Sequence, residues 1–165
     1  TDGLRRDFSD SMGRRPFSLT RSAFAGQQRS GASLWSGDIS GKWKTLGSQI
    51  SASINYALSG MPHWSEDIGG FVRPDDQYDS DDYNNLLTRW FQFGVFTPLF
   101  RVHGGGTDTE LWNFPKSMEN IVSSAINLRY RLMPYIYSGF YKVEKEQVSE
   151  RSERAFEVDE RRAST

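Results

Sequence analysis

Apolar residues recur along much of this chain at the spacing of amphipathic helices. Between residues 42 and 58 they return at every third or fourth position, which places them on one helical face. The same spacing predicts helices over residues 83–94 and 117–141, and Pro134 is expected to kink or divide the second one. The polar, arginine-rich residues 1–15 are expected to form the end of a helix and a loop.

Short apolar runs separate these helices and predict strands. The runs cover residues 17–24, residues 31–35, the residues that lead into Trp64 and Asp67, and residues 95–102. Between the last two, the acidic residues 73–82 carry turn formers and predict an exposed loop.

Strands that alternate with longer helices indicate βα units around a parallel sheet, and therefore an α/β fold. In barrels built from such units, catalytic side chains follow the carboxyl ends of the strands. Asp38, Asp67 and His103 each follow a strand candidate, so their positions alone make them candidate site residues.

Composition narrows the classes of function. The net charge of −1 gives no field that would recruit nucleic acid or an anionic membrane, and no run of about 18 apolar residues predicts a membrane span. Without cysteine there is no disulfide, zinc-thiolate site or thiol nucleophile. No metal-ligand spacing or phosphate-binding loop is present, so no metal or cofactor is predicted. The aromatic share of 14% suits a sugar pocket, but composition alone favours aromatic residues that fill a core.

Several motifs occur in one order along most of the first 140 or so residues. They are Pro16-Phe17-Ser18-Leu19-Thr20-Arg21-Ser22-Ala23-Phe24-Ala25-Gly26, Trp35-Ser36-Gly37-Asp38, Trp64-Ser65-Glu66-Asp67-Ile68-Gly69-Gly70-Phe71 and Phe96-Thr97-Pro98-Leu99-Phe100-Arg101-Val102-His103-Gly104. Together they closely resemble the catalytic domain of glycoside hydrolase family 31, the family of retaining α-glucosidases and α-xylosidases. A whole (β/α)8 TIM barrel needs about 250 residues. The resemblance therefore implies that residues 1–141 are the C-terminal portion of such a barrel, with the catalytic nucleophile upstream of Thr1.

The same resemblance implies a role for Asp38. Retaining glycosidases use two carboxyl groups, one as nucleophile and one as general acid/base, and Asp38 matches the acid/base. The alternative is that Asp38 caps the helix that begins around Lys42.

Four further residues are matched to the sugar-binding site by the resemblance, and Trp35 flanks that site. Arg21 would line the sugar subsite, or form an ordinary surface ion pair. Asp67 would orient His103 or bind sugar hydroxyls, or form a turn. Phe71 would pack against the sugar and Trp35 would stack on it or shape the pocket, with core packing as the alternative for both. His103 would bond a sugar hydroxyl, whereas His63 lacks motif support and is expected to be a variable pocket or loop residue.

The function expected of the full-length protein is hydrolysis of terminal α-linked xylose or glucose from oligosaccharides by double displacement. The residue pattern in 17–26 and 103–109 looks more like the α-xylosidase branch. A non-catalytic carbohydrate-binding or scaffold fragment and an α-transglycosylase on the same scaffold are the alternatives. The expected partners are an oligosaccharide and the remainder of the same polypeptide, and the isolated chain is expected to be inactive.

Residues 142–165, dense in Glu, Lys and Arg, are expected to form a helical extension or a disordered tail. Cytoplasmic, periplasmic and secreted locations all stay open, as does the oligomeric state.

Overall fold

Three short strands form a small parallel sheet. The computed structural model describes residues 2–14 and 16–146. Its strands are β1 (Leu19–Thr20), β2 (Ser33–Trp35) and β3 (Trp64–Ser65), in that spatial order. Both strand pairs are parallel, which confirms the predicted sheet, although the strands are shorter than the apolar runs.

The predicted helices are present at close to their predicted bounds. They are α1 (Asp2–Met12), α2 (Trp43–Leu58), α3 (Asp81–Gly94) and α4 (Lys116–Glu146), with two 3-10 helices at Gln27–Ser30 and Leu111–Asn113. The backbone N–H of Tyr83 donates to the side chain of Ser80, which caps α3, and two aspartates in the first turn complement its dipole. Among the described helices, none is both long and apolar enough to cross a bilayer.

Pro134 does not divide α4, which runs as one helix through this residue. A proline in a helix leaves the carbonyl four residues earlier without its partner. Here both Pro134 and Tyr130 are exposed, so water can solvate that carbonyl. The helix also continues to Glu146, into the segment predicted as a charged tail. The rest of that tail lies outside the described residues.

The strand predicted over residues 95–102 is wrong, because the chain forms a turn there instead. The N–H of Thr97 donates to the carbonyl of Gly94, and the Thr97 hydroxyl donates to the carbonyls of Gly94 and Leu99. From α4, the guanidinium of Arg129 donates to the carbonyls of residues 95, 97 and 98. Near the end of the run, the N–H of Ile68 donates to the carbonyl of Arg101 at 3.1 Å and holds it beside the residues that follow β3.

The core packs α3 and α4 against the residues that follow β3. It contains Leu46, Ile68, Tyr83, Leu86, Leu87, Trp90, Phe91, Phe114, Met118 and Val122.

The loop of residues 73–82 is only partly the exposed loop that was predicted. Asp75, Asp76 and Asp79 are exposed, but Arg73 and Gln77, which belong to the same loop, are buried.

Candidate active site

Asp38 lies just beyond the carboxyl end of β2 and is exposed. Gly37 has a φ of 76°, which turns the chain sharply after the strand, and the N–H of Ile39 donates to the carbonyl of Gly37. The cap residue of α2 is Lys42, in extended conformation and with no side-chain bond to the helix. The helix-capping alternative for Asp38 is therefore wrong, and its carboxylate is available for other contacts.

Arg21 follows β1 and reaches across to this turn. Its Nη1 atom lies 3.8 Å from Oδ2 of Asp38, and about half of each side chain is exposed. An ion pair this exposed contributes about 0–1 kcal/mol to stability. The contact places a cation beside the candidate acid/base while adding little to the fold.

Trp35, the last residue of β2, lies beneath two cations. The Cζ atoms of Arg21 and Arg101 are each 5.7 Å from the centroid of its ring, within the range of cation–π attraction. The ring thus connects Arg21, beside Asp38, with an arginine from a different segment of the chain.

Arg101 pairs with Asp67, whose side chain is fully buried. Nη2 of Arg101 donates to Oδ1 of Asp67. Oδ2 of Asp67 is also buried and has no hydrogen-bond partner among the described residues. Sequence reasoning missed Arg101. The signal that pointed to it was a charged residue inside an apolar run, two positions before His103.

Phe71 and His103 form a second group. Their ring centroids are 5.3 Å apart with the planes tilted by 42°. The N–H of Gly105 donates to the carbonyl of Phe71 at 3.0 Å, and a Cβ on Gly105 would stand 2.6 Å from Cζ of the Phe71 ring. The phenylalanine is partly buried, and the histidine is exposed.

The backbone at Ile39 joins the two groups. Its carbonyl accepts from the N–H of Phe71 at 2.8 Å and from that of Val72 at 3.0 Å, and Ser40 forms a parallel bridge with Val72. Asp38 and Phe71 are therefore held by the same short stretch of paired backbone. The structure brings all six predicted residues to one end of the sheet, as two linked groups.

His63 lies apart from this cluster, directly before β3. It lines a cavity with room for about one water molecule, together with Gln27, Gln28, Ala32, Leu34 and Met61. The imidazole stacks on Phe140 with centroids 4.4 Å apart, and burial lowers the pKa of His63 below its ordinary value. This cavity is at the amino ends of the strands, so it is not part of the candidate site. Within residues 2–14 and 16–146, no cluster of His, Cys, Asp or Glu could hold a metal ion.

Comparisons with known proteins agree on one family. Residues 2–139 match the model of the glycosyl hydrolases family 31 TIM-barrel domain. The chain is 48% identical to an α-xylosidase of Saccharolobus solfataricus over 120 residues, which are 73% of the chain and 16% of the relative. It is 39% identical to α-glucosidase 2 of Bacillus thermoamyloliquefaciens over 78% of the chain and 16% of that relative.

Solved structures agree with the sequence comparison. The crystal structure of a GH31 α-xylosidase from Xanthomonas citri superimposes with a TM-score of 0.80 at 38% identity, covering 89% of the chain and 17% of that protein. The chain thus spans about a sixth of the length of these relatives. Its short parallel strands and flanking helices are consistent with part of a barrel. The chain belongs to glycosyl hydrolase family 31, within the TIM-barrel domain of that family.

Proposed function

We propose that this chain carries the general acid/base and part of the sugar-binding surface of a retaining α-glycosidase. The proposal depends chiefly on the contact between Arg21 and Asp38 at the carboxyl end of β2. That is the end of a parallel barrel at which catalytic groups are found. An exposed carboxyl group beside an arginine that itself lies over the Trp35 ring suits a site that binds a sugar next to a carboxyl group.

In the proposed mechanism, Asp38 acts twice. It first donates its proton to the glycosidic oxygen as a second carboxylate attacks the anomeric carbon, so that the leaving group departs as an alcohol. It then removes a proton from water, and the water oxygen displaces the enzyme carboxylate from the sugar. The attacking carboxylate would come from a part of the barrel outside these 165 residues. Retention requires it about 5–5.5 Å from Asp38.

The remaining site residues would bind the sugar. Arg21 carries several donors that can reach hydroxyl groups, and His103 is exposed beside the partly buried ring of Phe71. Trp35 would form an apolar wall of the sugar site. Asp67 would support this wall indirectly, because it pairs with Arg101, whose guanidinium lies over the Trp35 ring. Asp67 is fully buried, so we place it in a supporting position and not in contact with the sugar.

The activities for which the relatives are named, α-xylosidase and α-glucosidase, favour terminal α-linked xylose or glucose as the substrate. The α-xylosidase relative is 48% identical and the α-glucosidase relative 39%. We therefore take an α-xyloside as the first substrate to test and an α-glucoside as the second.

The decisive experiment replaces Asp38 in a full-length protein that contains this chain. Asp38→Asn should abolish hydrolysis of α-xylosides with poor leaving groups but spare aryl substrates with good ones, which need little protonation. Added azide should accelerate turnover of the activated substrates, because it attacks the glycosyl-enzyme without needing a base. Asp75→Asn, in the exposed loop, is the matched control and should behave as wild type. Equal losses on both substrate types without azide rescue would refute the role of Asp38.

A further inference from the structure

The turn that follows Asp67 has an unusual backbone. Gly69 and Gly70 have φ values of 86° and 84°, and both residues are buried together with Ile68. Two consecutive left-handed residues leave the carbonyls of this turn unable to pair as in a strand or helix. A buried carbonyl needs a donor, and side chains are one source of it.

Arg73 supplies two of them. Its Nη2 donates to the carbonyl of Ile68 at 3.0 Å, and its Nε donates to the carbonyl of Gly70 at 3.1 Å. Tyr83 completes the set, since its hydroxyl donates to the carbonyl of Gly69 at 2.9 Å. Three consecutive carbonyls are thus each bound by a buried side chain.

Arg73 also contacts the loop that carries His103. A Cβ on Gly104 would stand 3.2 Å from Nε of Arg73 and 3.6 Å from its Cδ, so the arginine stem lies directly against this glycine. The next residue, Gly105, donates its N–H to the carbonyl of Phe71. Arg73 therefore lies between the turn that precedes Phe71 and the loop that begins at His103.

Arg73 is costly to bury. Only 8% of it is exposed, and burial lowers the pKa of its guanidinium, with Tyr83, Tyr78 and Asp67 partly offsetting this. Its hydrogen bonds are to two carbonyls and, at 3.5 Å, to Oε1 of Gln77. A buried cation bound mainly by carbonyls is a poor source of stability compared with an apolar side chain. The planar guanidinium, however, presents its Nε and Nη2 donors to the two carbonyls in a fixed geometry, which the rotatable ammonium of lysine does not provide.

We propose that Arg73 is a positioning residue of the sugar site: by locking the Ile68–Gly70 turn against Gly104, it sets where Phe71 and His103 meet. Arg73 does not touch the sugar in this proposal. The inference rests on the proposed function, in which Phe71 and His103 bind the substrate.

The test compares Arg73→Met with Arg129→Met in a full-length protein that contains this chain. Arg129 is the matched control because it also donates to backbone carbonyls of a turn, and those carbonyls belong to residues 95, 97 and 98 and not to the Ile68–Gly70 turn. Both variants should melt at lower temperature. Only Arg73→Met should also lose kcat/KM for an aryl α-xyloside, by about 10–100-fold and mainly through KM, since displaced binding groups weaken sugar binding. Equal kcat/KM in the two folded variants would overturn the proposal.

Two further variants keep the test decisive if Arg73→Met fails to fold. Arg73→Lys preserves the charge but not the fixed planar geometry of the paired bonds, and it should raise KM by a smaller factor. Gly104→Ala places a Cβ 2.8 Å from Cγ2 of Thr109 and 3.2 Å from Nε of Arg73, so it crowds Arg73 from the loop that begins at His103 and should raise KM without removing any hydrogen bond of the turn. Thr109→Ser combined with Gly104→Ala removes the contact with Cγ2, and the rise in KM should persist in that double variant. Wild-type KM in both single variants would overturn the proposal.

Crystal structures of the same variants separate this proposal from the proposed function. If Asp38→Asn shows the function to be wrong, the separation of the Phe71 and His103 rings still decides the role of Arg73. An increase of about 1 Å over the 5.3 Å of the native chain would support the positioning role. An unchanged separation in Gly104→Ala and Arg73→Lys would refute it.

Discussion

The guanidinium of Arg21 occupies the space that a side chain on Gly37 would fill. A Cβ built on Gly37 would stand 2.6 Å from Nη2 and 2.8 Å from Nε of Arg21. The glycine therefore allows the turn after β2 and also admits the cation to the side of Asp38.

Gly37→Ala should consequently lower activity by displacing Arg21. Gly31→Ala is its control, because Gly31 has a similar φ of 66° but open space around its Cβ position. Each alanine should cost about 1–2 kcal/mol of stability for the left-handed backbone. Only Gly37→Ala should also reduce kcat/KM for an aryl α-glycoside, by about 10²-fold for a misplaced binding group. Similar kinetics in the two variants would show that Arg21 can move aside without loss.

The helices and the parallel sheet could be predicted because the apolar spacing that indicates each element lies within the sequence of that element. The helix over residues 43–58 and the strand at residues 33–35 are each indicated by their own apolar spacing, but the spacing does not give the buried face of the helix. Trp43, Ile50, Ile54 and Leu58 are exposed, and the buried residues are Leu46, Gln49, Ser53 and Ala57. Residues 95–102 are a different case, because their apolar run forms no strand. Val95 and Thr97 are buried in a turn while Phe96 is exposed, and the donors to the carbonyls of residues 95, 97 and 98 come from Arg129, about thirty residues later. A short apolar run can therefore be a buried turn as readily as a strand.

The candidate site could be predicted from the sequence mainly where its residues lie within the matched motifs. Asp38, Arg21 and His103 could be named as candidates because each lies within a run of matched residues, and their roles stay predictions. Arg73 was missed because its neighbours are acidic turn formers, and the loop as a whole resembles solvated chain. Its burial depends on carbonyls that the Gly69–Gly70 turn directs inward, which is a property of backbone angles and not of residue type.

Arg21→Ala and His103→Ala should each lower kcat/KM by about 10²–10³, the loss expected for a charged or well-oriented hydrogen bond in the transition state. Melting should change little, because both side chains are largely exposed. Arg89→Ala, on the exposed face of α3, is the control and should keep full activity. If either site variant unfolds while its folded fraction remains fully active, its role is structural.

The buried pair of Asp67 and Arg101 should respond unequally to the loss of either partner. Arg101→Met leaves a fully buried carboxylate without its cation, which costs about 3–5 kcal/mol. Asp67→Asn leaves a guanidinium that is 30% exposed and can be hydrated, so the loss should be nearer 1.5–3 kcal/mol, roughly that of one charged hydrogen bond. Chemical denaturation of the two full-length variants measures the difference. The double variant should be more stable than Arg101→Met alone, and a larger loss in Asp67→Asn than in Arg101→Met would contradict the assignment.

His63 should make the stability of the fold depend on pH. Burial lowers the pKa of this imidazole from its ordinary 6.5, so the folded chain keeps it neutral where the unfolded chain takes up a proton. Its contribution is complete above about pH 6.5 and is lost as the pH falls from there through the lowered folded pKa. His63→Phe keeps a ring against Phe140 but cannot be protonated, so its melting temperature should fall less between about pH 6.5 and 5 than that of the wild type. Parallel curves for the two proteins would show that protonation of His63 does not oppose folding.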